Sequence, residues 1–147
     1  MVDQHLAFIA NCTSFDLTNQ ELLIGGGLER DPNGSFTILD MRDWTIKSKH
    51  VLPIGAINSV VFLPGVNQFC MTASSSQVHL VDRDKRELIR SSERFEFEVA
   101  ALASSKDEQK VAVGFNNGLV AEIFAGVGET WYTTRRAIYR CQTLLFC

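Results

Sequence analysis

Across residues 56–82 apolar positions alternate with polar ones in three short runs: Ile57, Val60 and Phe62, then Phe69 and Met71 beyond Pro64-Gly65, then Val78, Leu80 and Val81 ending at Asp82. Successive side chains of a strand point to opposite faces, so a period of two over runs of this length predicts three strands joined by turns. The plan recurs upstream. Placing Phe15 on Phe62 puts Leu22 on Phe69, Ile24 on Met71, Thr13 on Val60 and Gly25 on Thr72 without a gap. Beyond Gly25-Gly26-Gly27 this first copy carries extra residues, 28–34, before a third run that ends at Ile38-Leu39-Asp40, which reads as an expanded hairpin loop.

A third copy covers residues 97–124, with Val99 and Leu102 opening it, Val111-Ala112-Val113-Gly114 as its second strand and residues 119–124 as its third. Ile24 and Met71 lie 47 residues apart, and Met71 and Val113 lie 42 apart. A self-similar period of this size marks an array of supersecondary units that bury their faces by stacking. Asn117-Gly118 falls between the second and third strands of the last copy, where a tight hairpin takes two residues tolerant of positive φ. Weaker fourth strands are expected at 46–52, 87–92 and 130–134. The connections Met41-Arg42-Asp43-Trp44-Thr45 and Arg83-Asp84-Lys85-Arg86 are short and polar, as hairpin loops are.

These elements resemble the WD-repeat family of β-propellers: a Phe followed about ten residues later by Gly or a small residue (Phe15 to Gly25, Phe62 to Thr72), a polar turn, and a third strand ending apolar-apolar-Asp (Ile38-Leu39-Asp40, Leu80-Val81-Asp82). Lys106-Asp107-Glu108 stands where the family often has Pro-Asp-Gly. Gly55-Ala56 keeps the family's glycine without its histidine, no tryptophan precedes the Asp, and Phe124 replaces the Asp in the third copy. The resemblance covers residues 10 to about 124. It implies an all-β fold of β-propeller blades, each a four-stranded antiparallel sheet, in an incomplete ring. The blades fall at about 5–52, 56–92 and 97–134, and an atypical tail at 125–147 reads as a last strand plus the start of a further blade. Complete propellers use ~4–8 blades, so about three leave the ring open. The chain is expected to be a fragment of a longer protein, or to complete its ring with a second chain.

Composition narrows the partners. With 46% hydrophobic and 21% charged residues the 147-residue chain suits one globular core. Fourteen Lys and Arg against seventeen Asp and Glu give a net charge of −3, so no global basic field draws it onto nucleic acid. Lys47, Lys49 and His50 read as a solvated strand edge. Arg135, Arg136 and Arg140 among Trp131, Tyr132 and Tyr139 form a basic-aromatic tail of a kind that can stack on single strands; the end of a blade is the preferred reading. No apolar run is long enough for a membrane span. Cys12, Cys70, Cys141 and Cys147 have no CxxC spacing, which fits a reducing intracellular compartment, cytoplasmic or nuclear. Asn11-Cys12-Thr13 and Asn33-Gly34-Ser35 match the glycosylation acceptor pattern by chance on that reading.

Candidate chemistry is sparse. Ser74-Ser75-Ser76, His79 and Asp82 supply the residue types of a hydrolase triad, but His79 and Asp82, three apart on a strand, point to opposite faces. Gly25-Gly26-Gly27 is not followed by the helix start that holds phosphate and reads as a flexible strand end. His5, His50 and His79 lack metal-ligand spacing with Cys12 and Cys70. No catalytic residue, metal or cofactor is expected. In a propeller blade the loop between the second and third strands shares a rim with the connection into the next blade. Glu29, Arg30, Asp31, Pro53, Ile54, Ser75, Ser76, Glu93, Arg94 and Glu96 would gather there as a binding face. The expected function is a non-catalytic protein-interaction scaffold, a WD-repeat-like part of a larger intracellular assembly. The alternative is a nucleic-acid-binding or enzymatic propeller whose active elements lie in missing blades or in the tail.

Overall fold

Twelve strands in three four-stranded antiparallel sheets make up the structure, a computed structural model that describes residues 8–28, 30–63, 67–73, 76–105, 110–124 and 133–136. Blade 1 holds β1 (Ala10–Asp16), β2 (Glu21–Gly26), β3 (Gly34–Asp40) and β4 (Ile46–Leu52) in sequence order. Blade 2 repeats the order with β5 (Ile57–Phe62), β6 (Gln68–Ala73), β7 (Val78–Asp82) and β8 (Leu88–Ser91). Blade 3 comprises β9 (Val99–Ser104), β10 (Lys110–Phe115), β11 (Val120–Phe124) and β12 (Thr133–Arg136). The described residues contain no helix. The chain is all-β, and its blades are the four-stranded antiparallel sheets of an incomplete propeller.

The repeat is carried by the register itself. Phe15 pairs with Leu22 and Phe62 with Phe69, while Thr13, Val60 and Leu102 pair with Ile24, Met71 and Val113. Each first strand is interrupted by a bulge at the equivalent place, skipping Asn11, Asn58 and Ala100. A second bulge, between strands three and four, recurs around Lys47 and Ile89. An extra residue at a fixed place bends and twists a strand, so the three sheets share one curvature and stack. The Asp that ends the third strand closes the next hairpin. Asp40 N–H donates to Thr45 O at 2.8 Å and Asp82 N–H to Glu87 O at 2.9 Å. Their Oδ1 atoms accept the amides of Arg42 and Asp84 at 2.9 and 3.0 Å, with Trp44 and Arg86 left-handed at φ 60° and 58°. The apolar-apolar-Asp pattern is therefore turn chemistry.

Two seams hold the stack. β5 packs on β1, β2 and β3, and β9 packs on β5 and β6. Between blades 1 and 2 lie Leu23, Phe36, Ile38, Ile57, Val60 and Phe62 with Phe69 and Met71. Between blades 2 and 3 lie Leu63, Val78, Leu80, Val99, Leu102 and Val111 with Phe95 and Phe115 edge to face at 5.1 Å. A smaller cluster, Leu22, Ile24 and Leu39 with Phe8, Met41 and Ile46, covers the other face of blade 1.

Three sequence-based expectations need correction. Phe15, equivalent in register to Phe62, is 59% exposed where Phe62 is 6% exposed. Both point backward along the stack, and among the described residues only Phe62 has a preceding blade to meet. Lys47 and Lys49 are exposed on β4, the outer edge strand of blade 1, as expected, and the Lys47 ammonium in addition pairs with the buried Glu21 carboxylate. The Gly25-Gly26-Gly27 segment is no flexible end: Gly25 and Gly26 are buried in β2, and a Cβ on Gly25 would stand 2.7 Å from Ile57 Cγ2. The Asn117-Gly118 hairpin needs one left-handed residue, not two. Gly118 has φ 87° and donates to Phe115 O at 3.0 Å, the three-residue loop in which a type I turn ends on a left-handed glycine.

Candidate interaction rims

Backbone hydrogen bonds tie the second-to-third-strand loops to the connections between blades. Gly55 N–H donates to Pro32 O, and Phe95 N–H donates to Ser76 O, each at 2.9 Å. One rim therefore carries both the expanded loop after β2 and the connections before β5 and β9. Arg30, Pro53, Glu93, Arg94 and Glu96 are exposed on it. Ser76 is half-buried, left-handed at φ 56°. Asp31 is half-buried and shapes the loop, its Oδ1 accepting Asn33 N–H at 2.9 Å. Ile54 does not belong to the surface: at 8% exposure it sits in the seam between blades 1 and 2, because the chain must turn inward there to start β5. Glu29 and Ser75 lie outside the described residues.

The opposite rim holds a feature that sequence reading missed. A groove of about 540 Å³ is lined by Ser14, Asp16, Asn19, Phe62, Arg83 and Ser104 among others, so it runs across the inner ends of all three blades. Its charged floor is Arg83, which donates from Nε to Glu21 Oε2 at 2.7 Å and from Nη1 to Asp16 Oδ2 at 2.5 Å, and whose guanidinium lies 4.4 Å from the centre of the Phe62 ring. Burial works against the charged form of Asp16, but hydrogen bonds from Asn19 and Arg83 outweigh it and lower its pKa. Burial likewise opposes the charge on Arg83, and Asp16 and Glu21 overcome it and raise its pKa. Two carboxylates and two cations, Lys47 included, close on one another. The groove thus presents little net charge to a ligand. No sequence motif announces this set, because Arg83 stands 67 positions from Asp16 and 62 from Glu21.

Catalytic groups do not converge. His79 pairs in register with Met71 and so faces blade 1, whereas Asp82 pairs with Gln68 on the other face. Burial lowers the His79 pKa to about 4, and its Nδ1 lies 2.7 Å from Ser91 Oγ. Asp82 is occupied as a turn acceptor for Asp84 and Lys85. Cys12 is half-buried in β1, and burial pushes its thiol up to about 11 against a hydrogen bond to Gly25 O, so it is a poor nucleophile. Among the described residues no group of three or more His, Cys, Asp or Glu side chains could hold a metal ion, and no helix is long and apolar enough to cross a membrane. Ser74, Lys106-Asp107-Glu108, the Pro64-Gly65 turn, His5, Cys141, Cys147 and the tail's Trp131, Tyr132, Tyr139 and Arg140 lie outside the described residues.

The stacked sheets have counterparts among solved structures. The crystal structure of the Myceliophteria thermophila Cps50 (Swd1) β-propeller domain superposes with a TM-score of 0.72 at 13% identity, over 90% of this chain and 39% of that one. The fold is that of a partial β-propeller. Kuenenia stuttgartiensis hydrazine synthase matches with a TM-score of 0.71 at 14% identity, over 91% of this chain and 38% of that one. The chain thus spans about two fifths of the length of each of these structures. No family model and no curated protein matches the sequence.

Proposed function

We propose that this partial propeller is a non-catalytic protein-interaction scaffold, a WD-repeat-like part of a larger intracellular assembly whose partners are other proteins. The observation that carries the reading is the pair of backbone ties, Gly55 to Pro32 and Phe95 to Ser76, which hold exposed charges of two blades on one rigid rim. Loops fixed to a stiff scaffold are suited to recognition. Arg30, Glu93, Arg94 and Glu96 mix both signs, the arrangement that selects partners and sets encounter rates. The opposite groove is the weaker candidate, since its charges are spent on the seam. Carboxylates beside the arginines of the described rim and a net charge of −3 favour a protein over a nucleic acid as partner.

Capture of partners from cell extract by the tagged chain tests the proposal, with Arg30→Glu and Arg94→Glu as rim variants. Lys49→Glu is the control, because Lys49 is exposed on the outer strand β4 and Lys47 is engaged with Glu21. Loss of the same partner set from both rim variants and not from the control is expected. Equal recovery from rim variants and wild type, with loss in the control, moves recognition to the outer strands.

A further inference from the structure

The sequence contains two Asn-Gly steps, Asn33-Gly34 and Asn117-Gly118, each just before the third strand of a blade. A glycine after asparagine leaves its peptide nitrogen unshielded by any Cβ, so in an unfolded chain the two steps are chemically alike. The fold makes them unlike. Gly34 is buried as the first residue of β3, paired with Leu52, and a Cβ on it would stand 2.3 Å from Gly55 O and 2.7 Å from Ile57 Cγ1. Turning its peptide toward the Asn33 side chain would unpack the start of β3 from the connection into blade 2.

At the second step Asn116 and Asn117 are exposed at the tip of the hairpin between β10 and β11. One turn hydrogen bond, from Gly118 N–H to Phe115 O at 3.0 Å, restrains the peptide nitrogen, and exposed loop tips open locally at little cost. The Asn117 side chain folds back across that peptide, because its Oδ1 accepts the Leu119 N–H at 3.0 Å, two residues on. This bond keeps Cγ on the side of the Gly118 nitrogen and sets a donor on the oxygen where negative charge gathers when a nucleophile adds. Glu98 holds the loop to the rim, its O accepting Asn116 N–H at 3.1 Å and its Oε2 accepting Asn116 Nδ2 at 3.3 Å.

We infer that Asn117 is a site of spontaneous modification, where the folded chain converts asparagine to aspartate and isoaspartate while Asn33 stays intact. The Gly118 nitrogen gives its proton to water and bonds to Asn117 Cγ; the Cγ–Nδ2 bond breaks, and Nδ2 leaves as ammonia with a proton taken from solvent. Water then opens the five-membered succinimide. Opening at Cγ yields aspartate, and opening at the main-chain carbonyl yields isoaspartate, whose backbone runs through Cβ and Cγ. Water is the only co-reactant, and nothing is oxidised or reduced. Either product adds a negative charge to the rim beside Glu98. Isoaspartate also lengthens the three-residue loop by one main-chain atom, which is incompatible with the turn bond from Gly118 to Phe115. The inference rests on the geometry of the two loops and is independent of the scaffold reading.

The whole 147-residue chain, aged at body temperature and slightly alkaline pH, is the material for the test. Peptide mapping by mass spectrometry, with electron-transfer fragmentation to tell isoaspartate from aspartate, follows positions 33 and 117 over time. In the folded chain position 117 should convert at least tenfold faster than position 33. In guanidinium chloride, where the protection of Gly34 is gone, the two should convert at like rates. Asn117→Gln, whose longer side chain has to close a six-membered ring, should remove nearly all isoaspartate from the folded chain. Equal rates in the folded chain, or faster conversion at position 33, overturn the inference. So do a position 117 that stays unchanged in the folded chain while guanidinium chloride converts both, a tenfold gap that persists in guanidinium chloride, or an isoaspartate yield that Asn117→Gln leaves in place.

Discussion

Arg83 Nη1 and Asp16 Oδ2 meet at 2.5 Å across the seam between blades 1 and 2, joining the hairpin after β7 to the end of β1. Arg83 is 8% exposed and Glu21, its second partner, 6%. Breaking a buried charge pair from one side strands the other charge, which costs about 3–5 kcal/mol. Arg83→Met keeps the aliphatic stem over Phe62 and leaves Asp16 and Glu21 facing each other, so it should destabilise the fold by an amount in that range, lessened by Lys47 at Glu21. Adding Glu21→Gln should recover part of the loss. Urea denaturation of the two single variants and the double variant measures the coupling; strict additivity removes Arg83 as the seam's latch.

Phe15 and Phe62 are one repeat position in two environments. Phe62→Ala empties a site filled by Phe69 at 6.1 Å and by the Arg83 guanidinium, and should cost about 3–5 kcal/mol. Phe15→Ala should cost less than about 1 kcal/mol, the ordinary size of a surface change. Chemical denaturation of the pair checks both. A large loss at Phe15 would mean that its ring is buried in solution, against its 59% exposure.

Strand order, register and repeat were legible because alternation reports local geometry: Phe15 to Leu22 and Phe62 to Phe69 are hairpin partners and sit close in sequence. Burial at the end of the stack was not legible. Phe15 obeys the same alternation as Phe62, and what differs is the neighbour that only the assembled stack supplies. Ile54 was misplaced for a related reason, since a connection's residues carry no period from which an inward turn can be read. The Arg83 set stayed hidden because its members lie in different blades. By contrast, the rim that carries Arg30 and Arg94 followed from the order of strands alone.

Gly25 is a point of close approach in the first seam. Gly25→Ala brings a methyl to 2.7 Å from Ile57 and 3.1 Å from Cys12 Sγ, both packed between sheets. Overpacking of this kind costs about 1–3 kcal/mol. The double variant Gly25→Ala with Ile57→Val should be more stable than the sum of its parts, because the shortened side chain yields the space. Denaturation midpoints for the single and double variants decide the matter, and independent effects would mean that the strain is relieved elsewhere.

His79 makes the fold sensitive to mild acid. Burial lowers its pKa from 6.5 to about 4, so the folded chain holds the imidazole neutral beside Ser91 while the unfolded chain protonates it near 6.5. Between those values the unfolded state binds more protons. Its share of stability is therefore complete above pH 6.5, falls as the pH drops through the unfolded value, and levels off below about 4. The carboxylate of Asp16, lowered below its ordinary 3.8, contributes separately and only in stronger acid, as protonation breaks its bond to Arg83. The expected loss from His79 between pH 7 and pH 5 is on the order of 1–2 kcal/mol. His79→Gln should keep a neutral polar partner for Ser91 and flatten the profile across that interval while leaving the acid limb near pH 4 in place. Guanidinium denaturation of wild type and variant at pH 7, 6 and 5 measures it. Parallel profiles for the two proteins would assign the mild-acid sensitivity to other groups.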